Sequence, residues 1–349
     1  MTEDNLLVQL ACNPARANSD DLVSASLKQN PEDFVVDEIP LVLPDGQGEH
    51  AWLHIRKRNT NTDWLAGQIA RFAGVERRMV SYAGRKDRNA LTSQWFSVHL
   101  PGKEGPDWGG LNNDEIEVLQ ASRHSRKLKT GTLKGNTFTL RLQNLQGDTN
   151  ALQQQLEIIQ SRGVPNYFGE QRFGNSAENL ESAKHFLFER KKVKRNQKSI
   201  LLSASRSLLF NAVLDARVRA DSWLDPVIGD VIQKDGRRGS FVAEEIDDEL
   251  RQRLSNGEVH IAGPLWGRGR NNVQADAAEI ERSALEPFVD WCDALEHKGL
   301  EMDRRAMRAN VTDMEWSIEG DVLEIRFSLV AGSYATSVLR ECVDWHSTR

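Results

Sequence analysis

The chain has 349 residues, 39% of them hydrophobic and 28% charged, with a formal net charge of −6. That is the composition of a globular protein with enough chain for two cores, and no apolar run approaches the roughly 20 residues that span a bilayer. Its three cysteines (Cys12, Cys292, Cys342) are widely spaced and form no CxxC pair, which excludes a disulfide framework and a cysteine zinc site and points to a reducing, cytoplasmic location.

In chain order, residues 1–22 are polar and non-periodic and read as a loosely held arm, without a basic leader ahead of an apolar segment. Asn30-Pro31-Glu32-Asp33 is a turn feeding a strand from Phe34, and residues 51–56 alternate as a strand should. Residues 62–74 carry Trp64, Leu65, Ile69 and Phe72 at helical spacing, with Thr62 or Asp63 as the cap. After the loop-like residues 101–111 come a short strand at 116–119, a turn at Gly135-Asn136 feeding a strand through Phe138, and a helix over 149–161. This is an α+β pattern rather than regular βαβ alternation.

Composition shifts at Arg162. A block rich in Gly, aromatics and Asn (residues 163–175) leads into helices at 176–190 and 203–219 and short strands near 230–233 and 239–242. An acidic helix at 244–254, residues 279–301 and a basic helix around Arg304, Arg305 and Arg308 complete the block. Strand character returns at 314–318 and 323–329, and 333–343 reads as a closing helix. The ends therefore form one domain, residues 1–161 plus 309–349, with residues 162–308 inserted as a second.

The stretch SYAGRKDRNALTSQWFSV (residues 81–98) sets Asp87 among Arg85, Lys86 and Arg88 after a glycine break. A carboxylate among cations is held ionised, and a positioned, ionised carboxylate serves as nucleophile or general base. The same residues also suit an ordinary charged surface turn. Two runs are strongly basic: residues 123–134 hold five Lys/Arg and no acid, and residues 184–198 hold seven against one Glu. Segregated charge of this kind offers a basic face to phosphate on a chain that is acidic overall, although each run alone reads equally as a solvated surface. An amide beside aromatic faces is what a flipped pyrimidine needs, and Asn136 with Phe34, Phe138 and Tyr334 offers such a set, although Asn beside Gly also suits a turn and strand aromatics also suit a core. No Walker, GxGxxG or metal-ligand spacing occurs.

Five segments, NPEDFVVDE, AGRKDRNALTSQW, KGNTFTL, GVPNYFGEQRFG and AGSYATSVLRE, stand in the order found in the TruD family of tRNA pseudouridine synthases, which the chain resembles from Lys28 to Glu341. The resemblance implies a pseudouridine-synthase catalytic domain, a mixed, mainly antiparallel sheet flanked by helices, that carries an inserted α/β TRUD domain. It implies isomerisation of uridine to pseudouridine in tRNA, at position 13 in the D-arm region, without cofactor or metal. Asp87 matches the nucleophile of the GxKDxxAxT motif. Phe34, Asn136, Phe138 and Tyr334 match substrate contacts, and Lys28 is the cation expected beside Asp87. Tyr334 stands where bacterial relatives carry Phe, and its added hydroxyl needs a partner if buried. Arg126, Lys127 and Lys129 in the first basic run and Lys191, Lys192, Lys194 and Arg195 in the second are the candidates for the RNA backbone. The alternatives are a non-catalytic RNA-binding protein or RNA chaperone, or the same chemistry on another RNA. A metal-dependent hydrolase is disfavoured for lack of ligands. No protein partner is implied, and a monomer is expected.

Overall fold

The computed structural model describes residues 3–18, 22–189, 192–236 and 239–347. The chain divides into two compact units, one of Leu22–Leu152, Val311–Gly332 and Val343–Arg349 and the other of Met1–Asp21, Gln153–Asn310 and Ser333–Cys342. The helix Thr149–Arg162 carries the chain from the first to the second. Each unit is assembled from three separate stretches of the chain. Residues 1–21, 153–161, 309–310 and 333–342, expected in the domain drawn from both ends, group instead with the unit of residues 162–308.

The first unit is built on a ten-stranded sheet. Its main path runs Thr312–Glu319, Val322–Val330, Leu133–Gln146, Phe34–Pro40, Leu91–His99, His50–Arg58, Ile116–His124. Val23–Leu27, Val343–Ser347 and Val80–Tyr82 pair off this path. Among the described residues, two pairings of this sheet are parallel, Val23–Leu27 with Val343–Ser347 and Phe34–Pro40 with Leu91–His99. The sheet is thus mixed and mainly antiparallel.

Side chains alternate across a strand, so register decides which residues share a face. Leu53 opposes Phe96, Ile55 opposes Gln94, and Lys57 opposes Thr92. Val36 opposes both Thr92 and Phe138, Glu38 opposes Asn136, and Phe327 opposes Phe138. All of these lie on one face, in three zones. Leu53, Ile55, Phe96 and Val98 at one side pack against Leu65, Ala66 and Ile69 of the helix Thr62–Phe72. That helix is capped by Asn61, one residue before the expected cap, whose side chain accepts from the backbone N–H of Asp63 and Trp64. Phe34, Phe138 and Phe327 form an aromatic row at the other side. Between them lies a polar band of Lys57, Thr92, Gln94, Glu38 and Asn136. On the opposite face, Trp52 and Trp95 pack with Ala83 and Leu128.

The second unit is organised by the helix Arg195–Arg219, buried along most of its length and longer than the expected 203–219. The buried amide of Asn211 on this helix donates to the carbonyls of Leu10 and Phe168 and accepts from the Phe168 N–H at 3.0 Å. Arg217 pairs with Asp230, both buried. Four strands, in the order Ser240–Val242, Val231–Lys234, Val259–Leu265, Asp303–Ala306, form its sheet.

Several expectations are corrected. Glu3–Cys12 is a helix whose Leu7, Leu10 and Ala11 enter the core of the second unit, not a loose arm. Arg304, Arg305 and Arg308 lie on strands rather than a helix, because each guanidinium has acceptors to reach: Arg304 pairs with Glu281, Arg305 donates to Asn166, and Arg308 donates to the Leu254 carbonyl. The acidic helix begins only at Asp248, capped by Asp247. The closing segment is a short helix, Ala335–Leu339, followed by the strand Val343–Ser347. Gly135 and Asn136 stand within the strand Leu133–Gln146 rather than in a turn; a Cβ on Gly135 would meet the Leu329 carbonyl oxygen at 2.2 Å, so glycine is what lets the neighbouring strand approach.

Truncating Leu10, which is 2% exposed, leaves a void in a packed core and is expected to lower stability by about 2–5 kcal/mol. Urea unfolding of Leu10→Ala measures this; an unaltered midpoint would return the N-terminal segment to the status of a loose arm.

Candidate active site

Asp87 stands in the loop of residues 83–90, between the strands Val80–Tyr82 and Leu91–His99. The loop lies against the polar band because the band supplies its hydrogen-bond partners. Gln94 Nε2 donates to the Gly84 carbonyl at 3.0 Å. Thr62 Oγ1 donates to Gln94 Oε1 at 2.9 Å and accepts from the Lys86 N–H at 3.1 Å. Lys57 Nζ donates to the carbonyls of Asp87 at 2.9 Å and Thr60 at 2.6 Å. Lys57 is fully buried, and burial, partly opposed by Asp87, pulls its pKa down to about 8.

Lys28 is a cation at the carboxylate of Asp87, with Nζ 3.5 Å from Oδ2. Lys28 follows the strand Val23–Leu27 with φ of 61°, a left-handed conformation that costs a side-chain-bearing residue about 1–2 kcal/mol. That turn sends its ammonium 4.0 Å from the ring centroid of Phe34, whose π face favours a cation. Two of the flanking cations named from the sequence, Arg85 and Lys86, have partners of their own. Arg85 pairs with Asp63 at 3.0 Å. Lys86 turns inward, where Nζ lies 3.1 Å from Glu38 Oε2 and donates to Asn136 Oδ1. The Lys86–Glu38 contact is an ion pair rather than an aligned hydrogen bond. Burial raises the Glu38 pKa, against the lowering pull of Lys86.

The fold therefore brings together Asp87, Lys28, Phe34, Asn136 and Phe138. Phe34 and Phe138 meet edge to face at 6.3 Å, and Phe138 stacks on Phe327 at 5.5 Å. Tyr334 belongs to the other unit. There its hydroxyl accepts from Arg172 Nη2 at 2.8 Å and its ring meets Phe168 edge-on at 6.2 Å, so the added hydroxyl has its partner. In the block at residues 163–175, Tyr167, Phe168 and Phe173 are core side chains.

Arg126, Lys127 and Lys129 are exposed, and the turn carrying them is fastened to the Asp87 loop. Leu128 is buried against Trp52, Ala83 and Trp95, its carbonyl accepts from Ser81 Oγ at 2.8 Å, and the Gly131 N–H donates to the Ala83 carbonyl at 2.7 Å. Lys192, Lys194 and Arg195 are exposed on the other unit; Lys191 lies outside the described residues. Among the described residues, no group of three or more His, Cys, Asp or Glu is placed to hold a metal ion, and no helix is long and apolar enough to cross a membrane.

Lys57 and Glu38 were not singled out from the sequence, yet period-two alternation marks both. Lys57 continues the inward series Ala51, Leu53, Ile55, and Glu38 continues Phe34, Val36.

The family model for tRNA pseudouridine synthase D (TruD) matches residues 16–189 and 177–342. The chain belongs to the tRNA pseudouridine synthase D (TruD) family. It is 47% identical over 316 residues to the tRNA pseudouridine synthase D of Aeromonas salmonicida, covering 90% of this chain and 89% of that one. The Nitrosococcus oceani protein of the same name is also 47% identical, over 92% of this chain and 91% of its own. The crystal structure of a putative tRNA pseudouridine synthase D from Methanosarcina mazei shares the fold, with a TM-score of 0.72 over 97% of both chains at 20% identity. As a TruD-family member the chain is an isomerase of the pseudouridine synthase class.

Because the folded-state pKa of Lys57 is depressed, the cost of its buried charge is fully present below about pH 8. It is relieved as pH rises from there toward the ordinary lysine value of about 10.4. The stability of the wild type relative to Lys57→Met is expected to grow between pH 8 and 10. Urea unfolding across that range checks the sign, and a flat or shrinking difference would contradict it.

Proposed function

We propose that this protein converts uridine to pseudouridine in tRNA, at uridine 13 in the D-arm region, with Asp87 as the carboxylate that acts on the nucleotide. The observation that carries this reading is the convergence of Asp87, its counter-ion Lys28, the amide of Asn136 and the Phe34–Phe138 ring pair on one sheet face. In the reaction the N1–C1′ bond breaks, the uracil turns, C5 bonds to C1′, the C5 hydrogen leaves as a proton and the freed N1 takes one up. The carboxylate either attacks the nucleotide or takes a proton from the sugar. Both routes need it ionised, and the Lys28 ammonium is the compensating charge. No oxidant, reductant or energy donor enters the balance.

The target base is stacked in folded RNA, so it must be extruded and received by an aromatic surface and hydrogen-bonding groups. Asn136 supplies the amide, while the Phe34–Phe138 pair supplies the surface. Tyr334 is a further contact to the substrate in this reading. The catalytic role falls to the unit built on the ten-stranded sheet, and the other unit corresponds to the TRUD insertion. Each contributes cations for phosphates, Arg126, Lys127 and Lys129 from the first and Lys192, Lys194 and Arg195 from the second. Lys194 and Arg195 stand at the start of the helix Arg195–Arg219, where the helix dipole already disfavours positive charge, an arrangement that an anionic partner would relieve.

Tritium release from tRNA labelled at uracil C5 tests the chemistry. Wild type is expected to release tritium and Asp87→Ala to release none, with tRNA affinity preserved. Release by both proteins would remove Asp87 from its role, and release by neither from tRNA lacking pseudouridine would favour an RNA-binding protein. Mapping the product checks the position. Replacing Arg126, Lys127 and Lys129 together with Gln is expected to reduce the slope of log affinity against log salt by about 2 to 3. An unchanged slope would take the first basic run off the RNA.

A further inference from the structure

The band beneath the Asp87 loop holds an ion pair that the chemistry above does not use. Lys86 and Glu38 have side chains only 5% and 1% exposed, with Nζ 3.1 Å from Oε2. We propose that Lys86 is a positioning residue: it fixes the Asn136 amide so that Nδ2 faces the target base and donates to a uracil carbonyl, and Glu38 holds Lys86 in place. The inference rests on the reading of the Asp87 site given above.

A lysine ammonium has donors only, so the atom of Asn136 that meets it must be the carbonyl oxygen. Lys86 Nζ donates to Oδ1. Both Nδ2 hydrogens are then turned away from Lys86, on a residue that is half-buried rather than sealed. Without the anchor the amide can turn over, and in the reversed orientation Oδ1 would confront the uracil carbonyl and repel it. The anchor removes that orientation.

Three observations fix the anchor. Glu38 and Asn136 are directly opposite in the sheet register, so one lysine reaches both. The Lys86 backbone is pinned by Thr62 Oγ1 at 3.1 Å. Glu38 is itself held, accepting from the Trp95 N–H at 3.3 Å through its other oxygen. Since Lys86 immediately precedes Asp87, the same short segment sets the base-reading amide and the carboxylate.

The test compares single-turnover tritium release and tRNA affinity for the wild type, Lys86→Met, Asn136→Ala and the double variant. Lys86→Met is expected to slow release about tenfold, the worth of one hydrogen bond, with affinity unchanged. The double variant is expected to be no slower than Asn136→Ala, because the lysine acts through the amide. Multiplicative losses in the double variant, or an unchanged rate in Lys86→Met, would overturn the inference. Should Lys86→Met unfold because Glu38 is left without its counter-ion, Glu38→Gln combined with Lys86→Met removes both charges and must show the same rate loss and the same non-additivity. Absence of release by wild type would overturn the underlying reading instead, which separates the two failures.

Discussion

The Asp87 loop depends on how buried charge is satisfied beneath it. Three ionisable side chains, Lys57, Lys86 and Glu38, enter a sheet face whose neighbouring positions are Leu53, Ile55 and Phe96. An ion left unpaired in such a place costs several kcal/mol. Lys86 and Glu38 meet this cost with each other. Lys57 meets it with main-chain carbonyls, and one of those belongs to Asp87. The dependence is reciprocal: the lysine needs the loop to be where it is, and the loop is held where the lysine needs it. A surface loop fixed this way presents its carboxylate without a large apolar contact of its own.

Local backbone cost is concentrated around the same residues. Lys28 adopts a left-handed conformation that its side chain disfavours, and the return is an ammonium that reaches both the Phe34 ring and Asp87. Gly135 gives up a side chain so that the strand Val322–Val330 can run against it, which sets Phe327 beneath Phe138 and Asn136 opposite Glu38. Positions where a local rule is broken and the surroundings hold it in place are where function is most often found.

Much of this was legible in the sequence. Alternation marked the strands from Phe34, Ala51, Phe138 and Leu323, and the spacing of Leu65 and Ile69 marked the helix beside them. What stayed hidden depends on partners distant in sequence. Lys86 reads as one of three cations around Asp87 until the fold shows Glu38 and Asn136 waiting for it inside. Arg304 and Arg305 read as a basic helix because Glu281 and Asn166, which accept from them, are 23 and 139 residues away. The N-terminal helix was missed for the converse reason. Its apolar side is short, Leu7, Leu10 and Ala11, and gains meaning only against the helix Arg195–Arg219, which follows nearly 200 residues later.

The distribution of carboxylates bears on the chemistry proposed. Hydrolysis of a glycosidic bond uses two, one to protonate the leaving group and one to activate water or attack. An isomerase that recaptures its leaving base has no water to activate, and an accessible second carboxylate would invite hydrolysis of any covalent intermediate. Glu38 is the carboxylate buried beneath the loop, apart from Asp63, which pairs with Arg85. It is sealed at 1% side-chain exposure and held against Lys86. Bound in that way it cannot serve as a base toward solvent. Its charge is spent instead on the lysine that faces the Asn136 amide, so this buried acidic group acts on the orientation of the base rather than on water.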